Sequence, residues 1–223
     1  MAPLIPFITE IDPAPPAATV YVVEDDEAVR TSLELLLRVR GYLSDSFASG
    51  EAFLAAGRWR RPACVVVDVR LPGIDGLELA RRLRQAQASI PVIVVTAHGD
   101  VSTARTALRE GAVDFLEKPV DDNELFNAIE QALASDQRRL SLEIERRAHL
   151  QRLQKLTARE REVFDRITDG RHNREIAEEF GISPRTVEAH RARIMEKLDA
   201  QRVSDLFRMQ IALELSDEPI ESH

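Results

Sequence analysis

Cysteine is nearly absent. Cys64 stands alone in 223 residues, so no disulfide can close within one chain. A single reduced thiol fits a cytoplasmic protein, and disulfide scaffolds and cysteine-rich zinc sites are excluded. No apolar run reaches the 18 residues that a membrane helix needs. The first 18 residues hold no base and no long apolar core, so no secretory signal is expected there. No repeat is visible, and no glycine period suggests a collagen-like chain. A positive total charge is missing too: 30 Lys and Arg face 38 Asp and Glu, for a net charge of -8. Any nucleic-acid site must therefore be local.

What remains is ordinary globular composition, 44% hydrophobic and 30% charged, at a length that suits one large domain or two small ones. The charge is uneven. Residues 18–136 carry 13 bases against 19 acids, residues 137–155 carry 6 against 2, and residues 156–223 carry 11 against 15. The proline-rich stretch 1–17 reads as a disordered extension and 216–223 as an acidic tail. Between 18 and 136, short β-branched runs (TVYVVE, CVVVD, PVIVVT) alternate with segments of helical spacing. A weaker strand and helix at about 42–46 and 50–55 fill the early gap. This predicts an α/β domain, a doubly wound five-stranded parallel sheet covered on both faces. Residues 137–155 lack Gly and Pro and predict a helical linker, either separate from the preceding helix or an extension of it. Ile129, Leu133, Leu140 and Ile144 fall near one stripe. That stripe suits either a coiled-coil dimer or a solvated helix, since Arg147 interrupts it. Residues 156–215 predict a small all-α domain, opened by a capping box at Thr157 and Glu160.

Polar residues end four of the strands: Glu24, Asp25 and Asp26 after the first, then Asp68, Thr96 and Lys118. In a parallel sheet all lie at the carboxyl edge, where such folds bind ligands. Each has a plain structural alternative: Glu24 to Asp26 as a helix start, Asp68 as a cap, Thr96 as a strand end, Lys118 as surface. Four together point to a site. Clustered carboxylates repel, and Mg²⁺ relieves this with few protein oxygens. An ionised Asp68 can then attack phosphorus, with Lys118 and the Thr96 hydroxyl as partners for the phosphoryl oxygens.

These motifs, VVVDVRLPGIDG around Asp68, VTAHGD at Thr96 and FLEKP at Lys118, resemble the receiver domain of two-component response regulators over 18–134. The resemblance implies that Asp68 is the phosphoacceptor, served by a histidine kinase. It implies that Glu24, Asp25, Asp68 and the Arg70 carbonyl hold Mg²⁺. Thr96 and Phe115 become the switch pair, and the Lys118–Pro119 bond is expected to be cis. Glu24 departs from the aspartate common in that family.

Further on, residues 173–180, Gly181 and 183–198 read as helix, turn, helix, with Ser183 as cap and Pro184 at the first helical position. At 100° per residue, Val187, Ile194 and Leu198 share one side of the second helix. Arg185, Glu188, Ala189, Ala192, Arg193 and Glu196 face away, toward a DNA groove, with Lys197 and the arginines for phosphates and Thr186 counted among the DNA-binding residues. Glu188 can accept from a cytosine amino group, and Ala189 or Ala192 can touch a thymine methyl. His190 borders the packed side, as a phosphate contact or a packing residue. An ordinary helical hairpin is the plain alternative. The runs LTAREREVF, NREIAEEFGISPRTVEAHRARIMEKL and RVSDLF are similar to the LuxR-type helix-turn-helix of the NarL/FixJ branch. This implies a final helix that dimerises.

The joint expectation is a phosphorylation-controlled transcription factor. It would be a homodimer when phosphorylated, with a sensor kinase, promoter DNA and RNA polymerase as partners, and no membrane. A haloacid-dehalogenase-like phosphatase is the enzymatic alternative. It needs an acid two residues after the nucleophile, where this chain has Arg70. A regulator set by a partner protein is the third reading. An apolar-ligand sensor fits a charged crevice poorly.

Overall fold

The computed structural model describes residues 18–57, 59–86, 88, 90–97 and 101–214. The expectations for 1–17, His98, Asp100 and 216–223 lie outside them. Two compact units result, Met1–Leu140 and Ser141–His223.

The first unit alternates strand and helix: β1 Thr19–Val23, α1 Glu27–Val39, β2 Leu43–Phe47, α2 Gly50–Ala56, β3 Ala63–Asp68, α3 Gly76–Gln85, β4 Val92–Thr96, α4 Val101–Arg109, β5 Asp114–Glu117 and α5 Asp122–Leu153, of which residues 122–140 belong to this unit. All pairings are parallel, in the order β2-β1-β3-β4-β5. This is the doubly wound order whose ligand crevice opens at the carboxyl ends of β1 and β3. Side chains alternate between the faces of each strand. Val65, Val67 and Val94 therefore join Phe53, Leu79 and Ala107 on one side of the sheet. Val66, Ile93 and Val95 join Leu37, Phe126 and Ile129 on the other. Burying each such side chain contributes roughly 1.5–3 kcal/mol, so the two apolar layers dominate stability. Cys64 lies in the second layer as a small apolar residue, and burial, helped by Asp136, pushes its thiol up to about 12.

Element positions follow the periodicity closely. The last strand runs one residue later than its apolar run suggests, because pairing with Ile93–Thr96 sets the ladder at Asp114–Glu117. The helical linker takes the form of an extension of the preceding helix, since α5 continues without a break to Leu153. No Gly or Pro interrupts it. Ile129 and Leu133 are buried in the sheet layer and so cannot serve a dimer seam, while Leu142 and Ile144 are 66% and 62% exposed.

A buried ion pair fixes the middle of α5. Asp136, with no exposed surface, accepts from Arg61 Nε and Nη2 and from the Ala63 amide at 2.9 Å. Among the described residues, the Arg61–Pro62 and Lys118–Pro119 bonds are cis.

The second unit packs α6 Ala158–Thr168, α7 Asn173–Phe180, α8 Pro184–Leu198 and α9 Val203–Glu214 around Val163, Phe164, Ile176, Val187, Ile194 and Leu206. Its capping box is formed as expected. The Thr157 hydroxyl accepts from the Glu160 amide, and Glu160 accepts the Thr157 amide at 2.8 Å.

Candidate functional site

Parallel pairing brings the polar strand ends to one edge. Asp68 lies beside Val95 in the ladder, one residue short of Thr96. Thr96 pairs with Glu117, and the Lys118 amide donates to the Thr96 carbonyl at 2.7 Å. The Lys118 ammonium therefore reaches back across the edge. It donates to Glu24 Oε2 at 2.8 Å and to Asp68 Oδ2. Three groups expected from separate strands thus meet in one hydrogen-bonded cluster.

The electrostatics follow from burial. Glu24 is 4% exposed, and burial pushes its carboxyl above the usual range, with Asp68 adding to the rise and Lys118 opposing it. Burial also works against the Lys118 charge, but its hydrogen bonds to Asp68 and Glu24 outweigh that and leave its pKa raised. One ammonium here serves two carboxylates, so the cluster keeps an excess of negative charge.

The remaining expected residues take distinct places. Asp26 caps α1 by accepting from the Ala28 and Val29 amides, as its plain alternative held. Asp25 is exposed at the mouth of the crevice. Arg30 steadies this turn by donating to the Glu24 and Asp25 carbonyls. Asp68 Oδ1 accepts the Arg70 amide at 2.9 Å. A Cβ on Gly76 would run into the Asp68 carbonyl oxygen, so glycine lets α3 start against the end of β3. Thr96 is 1% exposed. Phe115 packs against the same sheet layer as Val94, its ladder partner, and is a diagonal neighbour of Thr96 on that face.

Beneath the carboxylates lies a cavity of about 260 Å³, lined by Val29 and Leu33 of α1, Val66, Pro119 and Leu125. Sequence reasoning missed this floor. Its signal was only the apolar spacing of α1, which reads the same for any core helix.

In the second unit, Ser183 caps α8 by accepting the Thr186 amide at 3.1 Å, and Pro184 opens the helix. Val187, Ile194 and Leu198 are buried. Arg185, Thr186, Glu188, Ala189, Ala192 and Arg193 are all exposed on the other side. Thr186 also shares a hydroxyl hydrogen bond with Ser183. Lys197, expected as a phosphate contact, is half-buried. Its ammonium is held by the buried Glu160 carboxylate at 2.6 Å, because the helical turn at 197 points back at α6. That contact, with the Thr157 bonds, holds the Glu160 pKa down at about 2. His190 is half-buried with Nδ1 shielded from solvent, which favours packing. An open concavity lined by His172, Asn173, Arg174 and Arg191 was not foreseen. Within its lining Arg191 donates to Asn173 Oδ1 at 3.0 Å.

Known proteins match both units. Residues 20–130 match the response regulator receiver domain, and residues 154–210 match the luxR family of bacterial regulatory proteins. The transcriptional regulatory protein FixJ of Bradyrhizobium diazoefficiens is 41% identical over 85% of this chain and 93% of its own. The solved structure of the response regulator StyR is similar at TM-score 0.77 and 36% identity, covering 87% of this chain and 98% of that one. Full-length FixJ from B. japonicum is similar at TM-score 0.53 and 40% identity, over 88% and 97%. No helix among the described residues is long and apolar enough to cross a membrane. A receiver-type sheet with its acid–lysine cluster, a LuxR-type helix-turn-helix and these relatives together place the chain among the two-component response regulators of the NarL/FixJ family, as a FixJ-like transcription regulator.

Proposed function

We propose that Asp68 accepts a phosphoryl group from a sensor histidine kinase, and that this charge controls a homodimer that binds promoter DNA. The observation that carries the reading is the single ammonium of Lys118 joining Asp68 to the buried Glu24. In the transfer, an Asp68 carboxylate oxygen forms the new O–P bond while the N–P bond of a kinase phosphohistidine breaks. The bonding pair stays on the imidazole nitrogen. Lys118 and the Thr96 hydroxyl then serve as partners for the phosphoryl oxygens.

The residues fit Mg²⁺. Among the described residues no three acidic, His or Cys groups already form a cage. Mg²⁺ needs none, since it keeps several waters and takes one or two carboxylates. Burial of Glu24 beside Asp68, with one ammonium between two carboxylates, leaves charge for a hard cation to balance. Glu24, Asp25, Asp68 and the Arg70 carbonyl would hold it. When bound, it supplies positive charge against the phosphoryl oxygens. This chain's own part is to aim Asp68, whose two carboxylate oxygens accept from the Arg70 amide and the Lys118 ammonium.

Phosphorylation adds about -1.5 to -2 of charge and three strong acceptors. Thr96 turns toward them and Phe115 follows, reshaping the α4–β5 surface through which two receivers pair. A two-fold dimer sets two α8 helices on half-sites roughly 34 Å apart. Arg185 and Arg193 hold phosphates, Glu188, Ala189 and Ala192 meet base edges, and the cytoplasmic partner at the promoter is RNA polymerase. The protein acts as a regulator and not as a turnover enzyme, because Arg70 offers no acid for a leaving group. Sedimentation with acetyl phosphate and Mg²⁺ tests the switch. Wild type is expected to dimerise and Asp68→Asn to stay monomeric. Equal dimerisation of both overturns it.

A further inference from the structure

The segment Val69–Asp75 joins Asp68 to α3 and carries the Arg70 carbonyl. Its near end is tied to β3 and β4: the Val69 amide donates to Val95, and Val69 accepts from the Leu71 and Gly76 amides. Its far end, at Gly73 and Ile74, leaves the sheet. There it meets the start of α2, an element with no part in the site described above. Glu51 Oε1 accepts the Ile74 amide at 2.8 Å. Gly73 has φ +78°, and a Cβ there would run into the same carboxylate oxygen. Gly50, buried, brings the backbone of α2 so close that a Cβ on it would lie 3.0 Å from the Ile74 carbonyl oxygen. Ser49 fixes this helix start by capping the Ala52 amide at 3.2 Å.

We infer that Glu51 is a positioning residue for the phosphoacceptor site. Its carboxylate clamps Gly73–Ile74, and the clamp sets where the Arg70 carbonyl stands relative to Asp68. The inference rests on the reading of Asp68 and Arg70 as groups that meet Mg²⁺. The logic is that of outer-shell partners in metal sites, which orient ligands without touching the ion. The Gly76 amide already closes the segment onto Val69, and the Glu51 bond to Ile74 holds the bulge between them, so fewer carbonyl positions remain to be ordered when the ion binds. Gln can replace Glu here, because its amide oxygen accepts the same hydrogen bond; Ala cannot.

The test uses the full chain as wild type, Glu51→Ala, Glu51→Gln and Gly73→Ala. Three readouts are taken: Mg²⁺ titrated alone by calorimetry, amide hydrogen exchange over 70–75, and the Mg²⁺ dependence of Asp68 phosphorylation by acetyl phosphate. Glu51→Ala is expected to weaken Mg²⁺ about tenfold, at the low end for outer-shell partners, and to speed exchange at Ile74. Its phosphorylation rate at saturating Mg²⁺ should stay near that of wild type. Gly73→Ala, which displaces the carboxylate, should do the same, and Glu51→Gln should restore wild-type behaviour. Wild-type Mg²⁺ affinity and loop protection in Glu51→Ala overturn the clamp, and so does a Glu51→Gln variant as impaired as Glu51→Ala. A wild-type chain that binds Mg²⁺ but takes no phosphoryl group would instead overturn the proposed function, while the calorimetry and exchange still judge the clamp.

Discussion

Two lysines show how one residue type is put to different uses. Lys118 stands between Glu24 and Asp68, where a phosphoryl group arriving on Asp68 would meet its charge. Removing one preorganised donor to developing charge typically costs about 10²-fold in rate. Lys118→Ala should therefore slow phosphorylation by acetyl phosphate about a hundredfold, read as the rate of mass gain; a wild-type rate would contradict that role. Lys197 instead holds the buried Glu160 of the α6 capping box. The Glu160 carboxyl is depressed to about 2 in the folded chain, against about 4.3 unfolded. A depressed acid contributes stability above its unfolded pKa and loses it as pH falls through the folded one. The stability gap between wild type and Glu160→Gln should therefore be full above about pH 4.3 and close toward pH 2. Denaturant melts of the second unit, followed by circular dichroism at several pH values, would show it. A gap that does not change with pH would rule the linkage out.

At the scale of elements, α5 and α8 matter most. Asp136 holds α5 to the start of β3 from a fully buried position, while Arg61 keeps 21% of its side-chain surface in water. Breaking a buried pair costs about 3–5 kcal/mol, discounted here to about 2–3 for the solvated partner. Asp136→Ala should lose that much, measured by urea unfolding through Trp59, which stacks on Phe53 in the first unit. On α8, the exposed Arg193 and the paired Lys197 should separate. Arg193→Ala is expected to lower the salt slope of DNA binding by about one, as loss of one phosphate contact does. Lys197→Ala should leave the slope alone and lower the melting temperature. The reverse pattern would mean that Lys197 leaves Glu160 to meet DNA.

The elements were largely legible because burial marks the chain: continuous β-branched runs in strands covered on both faces, and a period of 3.6 in the helices. The site was legible for a related reason, since parallel strands end on one edge and their terminal residues must gather there. Partners set by tertiary contact were not legible. Nothing near Asp136 announces Arg61, which lies 75 residues away. Thr157–Glu160 reads as a cap, and only the fold shows that Lys197 completes it. Glu51 carries no signal beyond its place at a helix start. The continuity of α5 was left open by a sequence that lacks breakers and yet has no clean apolar stripe.

For the whole molecule, the two units divide the work. The first concentrates negative charge around one lysine, and the second presents arginines and small side chains on one face of α8, so a net charge of -8 is no obstacle to local DNA contacts. On the proposed function, a covalent phosphoryl group links them only if it lands on Asp68. The most direct measurement is the intact mass, with peptide mapping, of wild type and Asp68→Asn after incubation with acetyl phosphate and Mg²⁺. The account predicts one added phosphoryl group on the peptide carrying residue 68 in wild type and none in the variant. An unmodified wild type, or equal labelling of the two, would contradict it.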